Sequence, residues 1–167
     1  VVTRGGMAIR FDENDVRPMG RTAAGVRAIR LKDGDEVVAA VRATDEDAAV
    51  LTVTENGYGK RTRIGEYSVQ NRGGQGLKTY QITQKTGEIV GAKKVTGEED
   101  ILLVSDDGTI IRMEAGSISL LGRATQGVRL MRPAEGAHVV AMARTEREAS
   151  EEETAEPGES AVEITEE

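Results

Sequence analysis

The sequence repeats itself every 51 residues without a gap, and that period restricts the chain to folds built from copies of one small unit. Gly6, Gly57 and Gly108 share the step, as do Gly25, Gly76 and Gly127. The apolar columns Val2/Val53/Val104, Val16/Tyr67/Ile118, Val26/Leu77/Val128 and Val38/Ile89/Val140 keep the same register. Three copies are expected, at 1–48, 49–99 and 100–146, followed by an acidic segment at 147–167.

Each copy reads as β-structure. Ala49–Thr54 and Ile101–Ser105 are short runs rich in β-branched residues, and each leads into a hairpin signal, Asn56-Gly57 or Asp107-Gly108. A second strand follows, as at Thr109–Met113, and then a glycine-containing loop such as Arg72–Gly76. Third strands are predicted at Val26–Leu31, Leu77–Thr83 and Val128–Arg132, and fourth strands at Glu36–Val41, Glu88–Val95 and His138–Ala143. About four strands in about 50 residues is the unit of a propeller blade. The fold class predicted is therefore all-β and propeller-like, with three four-stranded blades. Rings of this kind need about four to eight blades. The first copy lacks counterparts of Ala49 and Val50 before Val1, so the chain is expected to start inside a strand and to be the C-terminal part of a larger ring or spiral.

Charge is the second constraint. The chain of 167 residues has a net charge of −7, which by itself argues against a polyanionic partner. The distribution reverses that reading. Residues 145–167 hold ten Glu against the one basic residue Arg147, whereas residues 1–144 hold 21 basic and 19 acidic residues. The acidic segment has too few apolar residues to offset the entropy of ordering and is expected to be disordered. It reads either as a solubilising tail or as a competitor for a polyanion's binding surface. In the body, four columns are basic in all three copies: Arg10/Arg61/Arg112, Arg21/Arg72/Arg123, Arg27/Lys78/Arg129 and Arg42/Lys93/Arg144. No column is acidic in all three. Equivalent positions of successive blades lie on one rim, so these residues are expected to form a positive track. Strands also carry solvent-facing charge for solubility alone, and duplicated units can simply keep an ancestor's residues. The only aromatics are Phe11, Tyr58, Tyr67 and Tyr80, too few for stacking successive single-stranded bases. A track of this kind binds duplex through its phosphates, with little sequence preference and steep salt dependence.

Within this frame Gln70-Asn71-Arg72-Gly73-Gly74-Gln75-Gly76 resembles the glycine-rich box of DNA gyrase A subunits, with Asn71 and Gln75 at two of its basic positions. Glu55–Thr62 and Gly122–Val128 are similar to the same family's C-terminal domain, and the resemblance covers all three copies. It implies a β-pinwheel whose blades exchange strands and whose basic rim wraps duplex DNA. It also implies that this supports ATP-dependent negative supercoiling, a DNA topological change, within a cytoplasmic A2B2 holoenzyme. The partners implied are double-stranded DNA, the gyrase B subunit and the rest of the gyrase A subunit, with no membrane. No cofactor is expected in this segment, because ATP and magnesium belong to other parts of the holoenzyme, and so does the catalytic tyrosine. On the resemblance, Lys60, Arg63, Gln70, Gly73, Gly74 and Gly76 join the basic columns as candidate DNA contacts. Gly76 is also read as a tight-loop residue, because Gly25 and Gly127 occupy its column without a box. The alternatives are the C-terminal domain of a topoisomerase IV, and a protein-interaction propeller of the regulator-of-chromosome-condensation or kelch type.

Other chemistry has little support. With no cysteine there is no disulfide and no thiolate metal site, which suits a cytosolic protein. His138 has no nucleophile arranged beside it, and Asp33-Gly34-Asp35-Glu36 is too short for a calcium loop. Gly57-Tyr58-Gly59 lacks the Gly-Lys-Ser/Thr of a phosphate loop. No catalytic residue and no metal site is expected. No apolar run approaches the roughly 18 residues that span a bilayer, and no secretory signal is read at Val1-Val2-Thr3-Arg4.

Overall fold

The structure, a computed structural model, describes residues 1–147. Apart from Arg147, the segment at 147–167 lies outside the described residues. The fold is all-β with three repeated units. The first copy forms β1 (Val2–Thr3), β2 (Met7–Ala8) and β3 (Val37–Ala39). The second forms β4 (Ala49–Thr54), β5 (Tyr58–Arg63), β6 (Leu77–Lys78) and β7 (Ile89–Val95). The third forms β8 (Asp100–Ser105), β9 (Ile110–Glu114), β10 (Val128–Arg129) and β11 (Val139–Thr145). Short 3-10 turns at Glu13–Asp15, Ile64–Glu66 and Ala115–Ser117 repeat at the same step; nothing in the sequence pattern marked them.

The three sheets do not coincide with the three copies. Their strand orders are β3-β1-β2-β6, β10-β5-β4-β7 and β11-β8-β9. The third strand of each later copy therefore joins the sheet of the copy before it. β6 pairs antiparallel with β2 (Met7 opposite Lys78, Ala8 opposite Leu77), and β10 with β5 (Val128 opposite Gly59, Arg129 opposite Tyr58). Strand exchange of this kind is what the family resemblance implied. Two sequence expectations need correction. The predicted strand Val26–Leu31 is not a strand, and the third sheet has three strands rather than four. One physical reason covers both: a ladder needs two edges, and among the described residues neither segment has its partner.

Packing follows from strand alternation. All six residues of β4 are buried, because successive side chains point to opposite faces and both faces are covered. Leu51 and Val53 enter a core with Val95, Ile101, Leu103, Ile118 and Val139 towards the third sheet. Val50 enters a second core with Val2, Ile64, Tyr67, Tyr80 and Ile89 towards the first. Burying a residue such as Leu51 contributes about 1.5–3 kcal/mol, so β4 is the strand that ties the three sheets together.

Candidate nucleic-acid interface

The four basic columns fall in different places. Arg27, Lys78 and Arg129 are exposed; Lys78 and Arg129 stand on the exchanged strands β6 and β10, each at an edge of its sheet, and Arg27 holds the same column in a segment that is not a strand. Arg129 lies 4.6 Å over the Tyr58 ring and donates to its hydroxyl at 2.5 Å. The column Arg21/Arg72/Arg123 sits in the loops that precede those strands. Arg72 Nη1 donates to the Arg27 carbonyl at 2.6 Å and Nε to the Asp15 carbonyl at 3.2 Å. Arg123 Nη1 repeats the first contact on the Lys78 carbonyl at 3.2 Å. The two columns are thus brought together where successive copies meet. Arg21, in the first copy, is exposed.

The other two columns lie elsewhere. Lys93 is on β7, at the opposite edge of its sheet from the exchanged β10; Arg144 is on β11, an edge of the third sheet, which holds no exchanged strand among the described residues; Arg42 follows β3. Arg144 Nη1 donates to the Lys94 carbonyl at 3.0 Å. Arg10 and Arg61 are half-buried clamps between copies. Arg10 donates to the carbonyls of Ile64 (3.3 Å) and Tyr67 (3.2 Å) and pairs with Glu46 at 2.5 Å. This contact holds the Glu46 carboxyl below its ordinary pKa. Arg61 donates to the carbonyls of Ile118 (2.7 Å) and Gly116 (2.8 Å). Arg112 pairs with Asp100 at 2.8 Å and donates to the Glu146 carbonyl. Each of these arginines serves as a cationic donor for chain carbonyls and carboxylates.

Lys60 also differs from its expected placement. It is fully buried, with Nζ donating to the carbonyls of Gly122 (2.7 Å) and Arg123 (2.6 Å) and to Thr125 Oγ1 (3.0 Å), 5.0 Å over the Tyr80 ring. Burial lowers its pKa to about 8. Sequence reasoning missed this, although a signal was available: the same column is Ile9 and Ile111 in the other copies. Arg63 is exposed at the end of β5.

In the box, the Gln70 N–H donates to the Arg10 carbonyl and the Gly73 N–H to the Ala28 carbonyl, while the Arg30 N–H returns to Gly74. Gly73 and Gly76 have φ of 83° and 75°. A Cβ on Gly76 would lie 2.5 Å from the Ala8 carbonyl oxygen, so this glycine is required by the approach of two backbones. The tyrosines are all buried; Tyr67 bonds Thr79 and Tyr80 donates to the Gln126 carbonyl, and burial raises the pKa of both. His138 is exposed near Asp106, and Asp35 caps the Gly5 and Glu36 amides. Among the described residues no group of three His, Asp or Glu could hold a metal, and no helix is long and apolar enough to cross a membrane.

Comparison with known proteins decides the family. The profile described as DNA gyrase C-terminal domain, beta-propeller, matches residues 1–44, 48–96 and 99–146. The chain belongs to this family. The DNA gyrase A subunit of Staphylococcus epidermidis is 51% identical over 141 residues, covering 84% of this chain and 16% of the relative. That of Staphylococcus aureus is 49% identical over 148 residues, covering 86% and 16%. The chain thus spans about one sixth of the length of these curated relatives. Among solved structures, a DNA gyrase A C-terminal domain superposes with a TM-score of 0.80 at 31% identity, over 86% of this chain and 49% of that one. A topoisomerase IV C-terminal domain gives 0.81 at 26% identity, over 87% and 45%. The two share the fold equally well, and the sequence comparisons favour gyrase. The interaction-propeller alternative has no support left.

Proposed function

We propose that this segment binds duplex DNA along the sheet edge that carries the exchanged strands, through Arg21, Arg27, Arg72, Lys78, Arg123 and Arg129. Within the gyrase A polypeptide it would serve wrapping, and so the ATP-dependent negative supercoiling performed with gyrase B in the bacterial cytoplasm. The observation that carries this reading is the contact of Arg72 with Arg27, repeated by Arg123 with Lys78. It concentrates two basic columns at each join, where the spacing is set by the repeat. Lys93, Arg42 and Arg144 belong to another edge and Arg10, Arg61, Arg112 and Lys60 to the internal frame, so these seven contribute little to the contact surface. Phosphate contacts of this number make binding fall by about 10³–10⁵ between 50 and 200 mM salt. A mobility-shift titration of the chain against duplex of random sequence tests the proposal. A linear, steep loss of log K with log[salt], similar for unrelated sequences, is expected; a flat response would overturn it.

A further inference from the structure

The exchanged strand β10 lies on β5, and two alternate residues of β5, Tyr58 and Lys60, share one face of the sheet. Both are buried, and each ends on a part of the next copy that carries a basic residue. Tyr58 stands opposite Arg129 in the ladder. Its hydroxyl accepts from Arg129 Nη2 at 2.5 Å, and the guanidinium lies 4.6 Å over its ring. Lys60 reaches the loop that precedes β10. Its ammonium has three N–H donors, and the acceptors they meet all belong to that loop: the carbonyls of Gly122 and Arg123 and the Thr125 hydroxyl.

Arg123 is thereby fixed at both ends. Its own carbonyl accepts from Lys60, and its guanidinium donates to the Lys78 carbonyl at 3.2 Å. The end of the same loop is tied down by Tyr80, whose hydroxyl donates to the Gln126 carbonyl at 2.7 Å. Lys60 is wholly buried, so it cannot itself touch a ligand. Burying a charge is costly even where its donors are satisfied, and Ile9 and Ile111 fill the same column without that cost. Core packing alone therefore does not call for lysine here.

The join between the first and second copies shows the contrast. Met7 and Ile9 stand there in the columns of Tyr58 and Lys60, and Gly74 in that of Thr125. A Cβ on Gly74 would lie 3.7 Å from Ile9 Cδ1, so an alkyl group meets a glycine where lysine meets a hydroxyl. The residue on the receiving strand and the residue in the facing loop change together. Arg72 is held in a different way, by the carbonyls of Asp15 and Arg27.

We propose that Tyr58 and Lys60 are positioning residues for duplex DNA, which from inside the sheet set Arg129 and Arg123 of the next copy in place to meet phosphates. The inference rests on the reading that these two arginines contact DNA. A side chain or loop ordered beforehand need not be ordered on binding. Loss of either holder therefore weakens affinity while every surface charge stays present.

Double-mutant cycles on the duplex affinity of the complete subunit that contains this segment test this. Lys60→Met and Tyr58→Phe should each weaken binding about two- to tenfold, the factor for ordering one rotamer-rich side chain. In an Arg123→Ala background Lys60→Met should have no further effect, while Tyr58→Phe keeps its full effect. In an Arg129→Ala background the two exchange roles. Thr125→Ala, at a half-buried position, removes one acceptor and should repeat the Lys60 pattern at smaller size. It replaces Lys60→Met should that variant fail to fold. Losses equal in every background would mean a structural role alone and would overturn the proposal. Parent-like affinity of Lys60→Met and Tyr58→Phe, beside weakened Arg123→Ala and Arg129→Ala, would overturn it and leave the DNA contacts standing. Parent-like affinity of Arg123→Ala and Arg129→Ala would remove the DNA contacts at this join, and the inference with them.

Discussion

The Arg72 guanidinium is anchored to the backbone carbonyl of Arg27, and one repeat later Arg123 is anchored in the same way to Lys78. A carbonyl accepts from one edge of the planar guanidinium and leaves its other N–H groups free for a second acceptor. It also fixes the side chain before any ligand arrives, which lowers the ordering cost of binding. The result is a pair of basic residues from different copies at each join, spaced by the repeat rather than by chance.

Arg72→Ala and Arg123→Ala should each weaken duplex binding about equally across unrelated sequences and lower the slope of log K against log[salt] by about 1. The double variant should lose about 2, since the two joins are separate and share no partner. Lys93→Ala, at the other edge of its sheet, should leave the slope unchanged. Salt titrations of the three variants beside the parent decide this.

Arg61 predicts the opposite pattern. Its side chain holds the carbonyls of Ile118 and Gly116 across the second and third copies. Arg61→Ala should cost about 1–3 kcal/mol of stability, because charge-assisted bonds are lost and one of the freed carbonyls belongs to a buried residue. Thermal unfolding should fall by about 2–4 °C for each kcal/mol. The salt slope of the remaining folded protein should be that of the parent.

These two arginines show what the sequence could and could not reveal. The period, the all-β class and the hairpins at Gly57 and Gly108 follow from local rules, because turn residues and alternation act within a few positions. Gly57 and Gly108 do take positive φ, 81° and 85°. Threefold retention of a basic residue, by contrast, does not say what the side chain faces. For Arg61 the acceptor is a carbonyl of the next copy; for Arg27 the side chain is open to solvent. That difference depends on which strand of which copy lies alongside, a non-local relation that periodicity cannot encode. The exchange of third strands has the same origin. So does the absence of strand structure at Val26–Leu31, whose sequence is as suitable as that of Leu77 onwards but which has no edge to join among the described residues.

Gly127 tests the join directly. A Cβ there would stand 2.6 Å from both the Gly59 carbonyl oxygen and the Tyr80 hydroxyl, on a backbone with φ of 71°. Gly136 has a similar φ of 77° and open space around it. Gly136→Ala should therefore cost about 1–2 kcal/mol, the strain of a left-handed alanine. Gly127→Ala adds overpacking and should cost about 1–3 kcal/mol more. Denaturant unfolding of the two variants measures the difference, and equal losses would contradict a close join.

Lys60 gives the stability of the third-copy loop a pH dependence of definite sign. Its folded pKa is lowered by burial to about 8, against about 10.4 for a free lysine. Between those values the unfolded chain holds the proton and the folded chain has released it, so stability rises with pH. Below pH 8 both states are protonated and the contribution is flat, at the level set by burying the charge. In Lys60→Ile, which copies the residue of the first and third copies, the group is absent. Unfolding free energies of parent and variant measured from pH 7 to 10.5 should therefore diverge, with the parent gaining relative to the variant above pH 8. The variant should also exchange the amides of residues 122–126 faster, because three acceptors lose their common donor. A constant difference across that pH range would mean that Lys60 keeps its proton, and that its three acceptors outweigh the cost of burial.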